Sequence, residues 1–275
     1  MSIEGSIEGS IEGSIEGSIE GSIEGLIVEM QDGILRITFN RPDRLNSLSA
    51  EIVHVVADTI DAAPAQGARV VVLTGAGRAF SSGADVGADG APPGLDTLDA
   101  GNRLVTSITL SPTPVVAAVN GIAAGIGCSI ALAADLAIAS ESAGFMLAFT
   151  KIGLMPDGGA SLFVPAAAGR ARAMRMALLA EKISAKTAAD WGLIAEVAPD
   201  SEFEAAVESV VTQLASGPPL ALAATKRVLN SATLSLLAEV LQAERDGQEP
   251  LLTSADFAEG MAAFQEKRKA QFKGL

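Results

Sequence analysis

Three acids stand beside turns or helix ends where proton chemistry is feasible: Asp85 in Gly83-Ala84-Asp85, Asp135 after an apolar run, and Asp157 in Leu154-Met155-Pro156-Asp157-Gly158-Gly159. The turn around Asp157 is otherwise apolar and glycine-rich, and apolar surroundings raise a carboxylate's basicity toward the range useful at neutral pH. The same residue fits an N-cap for the Ala-rich segment that follows, so the residues alone leave a base and a cap side by side. Asp85 reads as loop geometry and Asp135 as a structural residue at a helix end.

Two glycine-rich stretches offer a different chemistry. Gly75 to Asp85 follows the apolar run Val70-Val71-Val72-Leu73-Thr74, and Asn120 to Ser129 follows Val115 to Val119. Peptide N–H groups at such strand-to-helix turns are prepositioned for a developing oxyanion, and small residues let a ligand approach the backbone. The glycines equally suit tight turns and close packing. The first stretch is a poor dinucleotide fingerprint, because Phe80 stands where the third glycine belongs.

Other chemistries lack their residues. His54 is the one histidine, in a helix that reads as capped by Ser49, so neither an HExxH zinc site nor a Ser-His-Asp triad has support. Cys128 is the one cysteine and reads as a buried small hydrophobe. That excludes an intramolecular disulfide and suits a reducing cytosol, so a cytoplasmic protein with no metal is expected.

The elements that must position these groups follow from patterning. Leu26 to Met30 and Ile34 to Asn40 flank Gln31-Asp32-Gly33 as a hairpin. Strand, Gly-rich loop and helix then recur from Val70, from Val115 and around Leu136 to Ala166, which predicts an α/β core with repeated ββα-like turns. Gly87 to Gly101, with Pro92 and Pro93, reads as a long mobile loop bordering a site. After Arg170 helical patterns dominate, with one strand signal at Ile194 to Val197. The predicted division is a core over residues 26–200 and a helical oligomerisation region over 201–275.

Residues 1–25 are Met1 and six copies of Ser-Ile-Glu-Gly. They lack the charged and apolar regions of a signal peptide and read as an expression leader forming neither helix nor strand. The six leader glutamates leave 27 acids against 19 basic residues, so the formal charge changes from −14 to −8 without them. A net acidic chain argues against a nucleic-acid partner. The longest apolar run, Ile122 to Ala134, is too short to span a bilayer, so no membrane partner is expected.

In order and interval, Asn40-Arg41-Pro42 with Asn46-Ser47-Leu48, Gly77 to Asp85, Asn120 to Asp135, Gly153 to Gly159 and the tail Glu259 to Arg268 together resemble the successive signatures of the enoyl-CoA hydratase/isomerase (crotonase) family. Phe145 to Asp157 with Arg170 to Met174 is most similar to its ring-1,2-epoxyphenylacetyl-CoA isomerase members. The resemblance implies a crotonase-type spiral of ββα turns with a C-terminal helical trimerisation region, as a homotrimer or dimer of trimers. It implies an acyl-CoA thioester substrate, with coenzyme A part of that substrate and no separate cofactor.

By the same resemblance the oxyanion donors fall on the backbone N–H groups of Ser82 and Ile126, with Gly83, Ala84, Asp85, Gly125 and Gly127 lining the substrate. Phe264 and Lys267 match residues that touch CoA from a neighbouring subunit. The two catalytic glutamates of the hydratases fall on Ser129 and Phe149, which cannot do carboxylate chemistry. Asp157 matches a loop that some family isomerases use for their working aspartate, so isomerisation by Asp157 is the leading expectation. A hydratase using Asp157 and water, or a catalytically silent acyl-CoA binding protein, are the alternatives.

Overall fold

The computed structural model describes residues 19–86 and 92–275. In chain order the elements are β1 (Ile19–Ile23), β2 (Leu26–Gln31), β3 (Ile34–Phe39), α1 (Ala50–Ala62), β4 (Val70–Gly75), β5 (Ala79–Ser81), α2 (Leu95–Leu110), β6 (Val115–Val119), β7 (Ile122–Ala124), α3 (Ile126–Ala133), β8 (Leu136–Ser140) and β9 (Gly144–Met146). There follow α4 (Ala160–Ala168), α5 (Arg170–Leu179), β10 (Ile183–Ser184), α6 (Ala185–Asp190), β11 (Glu196–Ala198), α7 (Phe203–Ser216), α8 (Pro219–Thr233), α9 (Leu237–Leu252) and α10 (Ala255–Gln265).

The strands form two sheets, one ordered β1-β2-β3-β4-β6-β8-β11 and one ordered β10-β9-β7-β5. Each repeat sends one strand to each sheet and then a helix: β4 and β5 before α2, β6 and β7 before α3, β8 and β9 before α4. Pairing is parallel from β3 through β11 and among β5, β7 and β9. This is the predicted ββα spiral, with the two sheets stacking equivalent turns directly above one another.

Apolar periodicity explains why the strands sit where they do. Successive side chains of a strand point to opposite faces, so Val71 and Leu73 enter the main core while Val70 and Val72 join Val116, Ala118 and Ile138 against Val207 and Val211 of α7. Buried on both faces, these strands carry continuous apolar runs, as parallel strands do. The hairpin between β2 and β3 turns at Asp32 and Gly33, both at positive φ, in the form that Asp-Gly favours. Ser49 caps α1 by accepting the Ile52 N–H, as its position suggested.

Three expectations change. The last two copies of the leader repeat are not devoid of structure, since Ile19–Ile23 pairs antiparallel with β2. Backbone hydrogen bonding to an open sheet edge needs no strong side-chain preference. The stretch read as a loop from Gly87 to Gly101 yields to helix α2 from Leu95, while residues 1–18 and 87–91 lie outside the described residues. The strand signal at Ile194 to Val197 is realised two residues later, as β11.

Helix α8 exposes Leu220, Val228 and Leu229, and Lys226 is its one buried residue. The Lys226 ammonium lies 2.7 Å from the Asp135 carboxylate and donates to the carbonyls of Ile108 and Thr113. Asp135 also accepts the Val115 N–H at 2.7 Å, so it ties α8 to the start of β6 and bears out its structural reading. Burial raises the Asp135 pKa and lowers that of Lys226, each shift opposed by the partner's charge. Lys226→Met should therefore leave a partly buried carboxylate without its cation and cost about 1–3 kcal/mol of unfolding free energy in urea; a loss near zero would show that the pair does not anchor α8.

Candidate active site

The chain between β9 and α4 is forced into a tight course by Gly153, Gly158 and Gly159, all at positive φ. A Cβ at Gly158 would come 2.4 Å from Ile126 Cδ1, and one at Gly153 would come 2.9 Å from the backbone of Asp256. Only glycine fits both the backbone conformation and the space. Asp157 sits on the inside of this turn.

Three side chains hold the turn. Ser129 on α3 donates its hydroxyl to the Asp157 carbonyl at 2.8 Å. Glu244 on α9 accepts the N–H groups of Gly159 (2.7 Å) and Ser161 (2.9 Å), filling the donors that α4 leaves open at its start. Gln248, one helical turn on, accepts the Met155 N–H and donates both to the Met155 carbonyl and to Asp157 Oδ2, the last at 2.9 Å. The cap of α4 is Gly159 with no side-chain contribution, so Asp157 is not the helix cap.

The Asp157 carboxyl is buried at 9% exposure and lines a cavity of about 890 Å³. Leu98, Ile126, Met146, Phe149, Leu154 and Leu252 make its apolar walls. Burial is the main cause that pushes the Asp157 pKa up to about 7; the Gln248 hydrogen bond opposes it and the nearby Glu244 charge adds to it. The charged residues that share the cavity, Asp43, Arg44, Arg78, Asp85, Lys151 and Lys267, are exposed or half-buried and mark its outer side.

The two glycine-rich turns meet beside this cavity. Gly83 has φ of +97°, and a Cβ there would approach the Ala124 carbonyl to 2.8 Å and Gly125 Cα to 3.5 Å. The Ser82 N–H donates to the Leu45 carbonyl at 2.9 Å and is occupied within the fold. Leu48 N–H to Gly83 O and Asp85 N–H to Leu48 O continue that stitching and step over Ala84. Among the described residues the Ala84 N–H has no acceptor, and neither has that of Ile126, the first residue of α3. Both residues line the cavity, so the open N–H expected at Ser82 from sequence lies instead at Ala84.

Other site residues fall out variously. Gly83, Ala84, Asp85 and Gly125 line the cavity, with the Asp85 carboxylate 2.7 Å from Arg41. Gly127 does not line it: it packs on β5, where a Cβ would meet Ser81 at 2.8 Å. Phe149 forms cavity wall and Ser129 holds the Asp157 loop. Phe264 and Lys267 line the same chain's cavity, whereas the resemblance implied a reach from a neighbouring subunit; α10 packs across the turn at Ile152 and Gly153 and brings them there.

Glu244 and Gln248 were missed by sequence reading. Their signal was spacing: the buried residues of α9 are Leu237, Leu241, Glu244 and Gln248, an inward stripe in which two positions are polar.

An aspartate whose folded pKa lies above its unfolded value binds an extra proton in the folded state between the two. Stability is then lost as pH rises from the ordinary aspartate range to about 7, and stays lost above it. Asp157→Asn keeps the size and removes the titration. Its melting temperature should exceed the parent's at about pH 8, and the gain should shrink toward about pH 5; a pH-independent difference would contradict the burial of an ionising carboxyl.

The enoyl-CoA hydratase/isomerase family model matches residues 29–275. A probable enoyl-CoA hydratase of Rhodobacter capsulatus is 46% identical over 250 residues, covering 90% of this chain and 96% of the relative. The 1,2-epoxyphenylacetyl-CoA isomerase of Escherichia coli is 38% identical over 257 residues, covering 90% and 98%. A crystal structure of an enoyl-CoA hydratase from Mycobacterium avium subsp. paratuberculosis superposes with a TM-score of 0.86 at 51% identity, covering 92% of this chain and all of the other. Fold, cavity and relatives agree, and the chain belongs to the enoyl-CoA hydratase/isomerase family.

Proposed function

We propose that the protein is an acyl-CoA isomerase in which Asp157 alone carries the proton. The observation that supports this most is the composition of the cavity: Asp157 is its one buried ionisable group among the described residues, and the positions matching the hydratase glutamates hold Phe149 and Ser129. Hydration needs one group to activate water and another to deliver a proton, whereas double-bond migration needs a single group that takes a proton and returns it.

The thioester carbonyl of a 3-enoyl-CoA would accept the N–H groups of Ala84 and Ile126. The Asp157 carboxylate takes a proton from C2, and the C–H electron pair spreads into a dienolate whose charge rests on the thioester oxygen. The protonated Asp157 then donates to C4, the double bond settles between C2 and C3, and the carboxylate is restored. A pKa of about 7 suits both halves, since base and conjugate acid are both populated near neutrality.

The apolar walls suit an acyl chain or ring, and the name of the E. coli relative makes an aromatic-derived epoxide thioester a candidate. The Rhodobacter relative's name keeps a second reading in view, a hydratase using Asp157 and water. On either reading the exposed apolar face of α8 is where copies would associate, as a homotrimer or dimer of trimers.

Incubation with 2-enoyl-CoA and 3-enoyl-CoA, followed by mass and absorbance, separates the readings. Isomerisation leaves the mass unchanged, hydration adds a water, and silence with retained binding supports a non-catalytic acyl-CoA binder. Asp157→Asn should fold, bind acyl-CoA and lose at least about 100-fold in turnover; activity within a few-fold of the parent would exclude Asp157 as the proton carrier.

The donor pair has its own test. Ile126 is the first helical residue of α3, where proline is tolerated, so Ile126→Pro removes the N–H while sparing the helix. It should lose about 100- to 1000-fold in turnover with the fold retained, and Ser82→Ala should be mild. Equal, large losses from both would overturn the assignment.

A further inference from the structure

The catalytic turn is clamped by a helix that lies outside the ββα core, and the clamp reaches the carboxylate itself. Gln248 makes three hydrogen bonds with its one amide: Oε1 accepts the Met155 N–H at 3.0 Å, and Nε2 donates to the Met155 carbonyl at 2.8 Å and to Asp157 Oδ2 at 2.9 Å. The paired contacts to Met155 set which end of the amide is nitrogen, since reversal would place oxygen against oxygen and nitrogen against nitrogen. With both amide protons placed, one necessarily points at Asp157. That ties down Oδ2 and leaves Oδ1, which accepts no hydrogen bond among the described residues, as the free oxygen of a residue lining the cavity.

Glu244 completes the clamp one turn earlier. Its two oxygens take the separate N–H groups of Gly159 and Ser161, so they fix the backbone immediately after Asp157 as Gln248 fixes it immediately before. A Cβ at Gly247, between the two, would come 2.6 Å from Met155 Sδ, so α9 lies directly against the turn.

We propose that Gln248 and Glu244 are positioning residues for Asp157: Gln248 aims its carboxylate into the cavity, and Glu244 holds the loop that carries it. The proposal rests on the reading of Asp157 as the proton carrier. It gives the C-terminal helices a part in the chemistry beyond packing, because the orientation of the base depends on α9 being seated.

The two residues act on Asp157 with opposite sign. The Gln248 hydrogen bond favours the carboxylate, and the Glu244 charge disfavours it. From α3 the turn meets the uncharged Ser129, and the remaining charged cavity residues are Asp43, Arg44, Arg78, Asp85, Lys151 and Lys267 on the outer side. A variant that merely loosens the fold admits water to Asp157 and lowers its proton affinity, so a shift of the pH profile to higher pH, the direction expected for a lost Gln248 hydrogen bond, is the diagnostic readout.

The experiment compares Gln248→Leu, Glu244→Gln and Asp157→Asn with the parent, using trans-3-hexenoyl-CoA and recording kcat, KM and kcat/KM against pH. Gln248→Leu should lower kcat on the order of 10- to 100-fold through misalignment, with KM little changed. Its kcat/KM profile should move to higher pH, and that of Glu244→Gln to lower pH. Should Gln248→Leu fail to fold, Gln248→Met, which also lacks the donor to Asp157, takes its place, with the same shift to higher pH expected. If Asp157→Asn is inactive but neither partner variant alters kcat or the profile, positioning is overturned and the proton carrier stands. If Asp157→Asn is active, both fall.

Discussion

The structure depends on keeping one carboxylate in an apolar cavity without letting it either pair with a cation or drift away. Burial raises the proton affinity of Asp157 to the neutral range, and a neutral partner, Gln248, fixes the carboxylate in place while offsetting only part of that rise. An arginine or lysine in the place of Gln248 would keep Asp157 ionised and weaken it as a base. The charged residues of the cavity are kept to its outer side, as Asp85 shows by lying beside Arg41 at the rim.

The ββα repeat is what makes such a site possible. Stacking equivalent turns through two sheets brings β5 and β7 side by side, so the turns that follow them touch at Gly83 and Gly125. Each turn leaves one peptide N–H without an acceptor, at Ala84 and Ile126, on the cavity that Asp157 enters from the next repeat. The two open N–H groups and the buried carboxyl thus come from three successive repeats of one spiral. The helices after β11 then close the site: α9 seats the Asp157 loop, and α10 brings Phe264 and Lys267 to the cavity.

Much of this was legible in the residues because it is local. Continuous apolar runs at Val70 and Val115 announce strands buried on both faces, and Asp-Gly announces the hairpin. Asp157 stood out as an acid among apolar and glycine neighbours. What was not legible depends on distant pairing. Nothing near Ser82 says that its N–H will meet Leu45 and that Ala84 will be passed over. Gly127 looked like a lining residue until β5 was seen packed on it. Glu244 and Gln248 lie 85 and 91 positions from the residues they bind, so their inward spacing marks them as unusual without naming a partner.

The most direct test of a single proton carrier is the fate of the proton it moves. A 3-enoyl-CoA deuterated at C2, converted in one turnover in ordinary water, should give a 2-enoyl-CoA with deuterium at C4 and no added oxygen, because the proton leaves and returns on Asp157. A 3-enoyl-CoA left unconverted while a 2-enoyl-CoA gains a water would contradict the account and show that the cavity activates water instead.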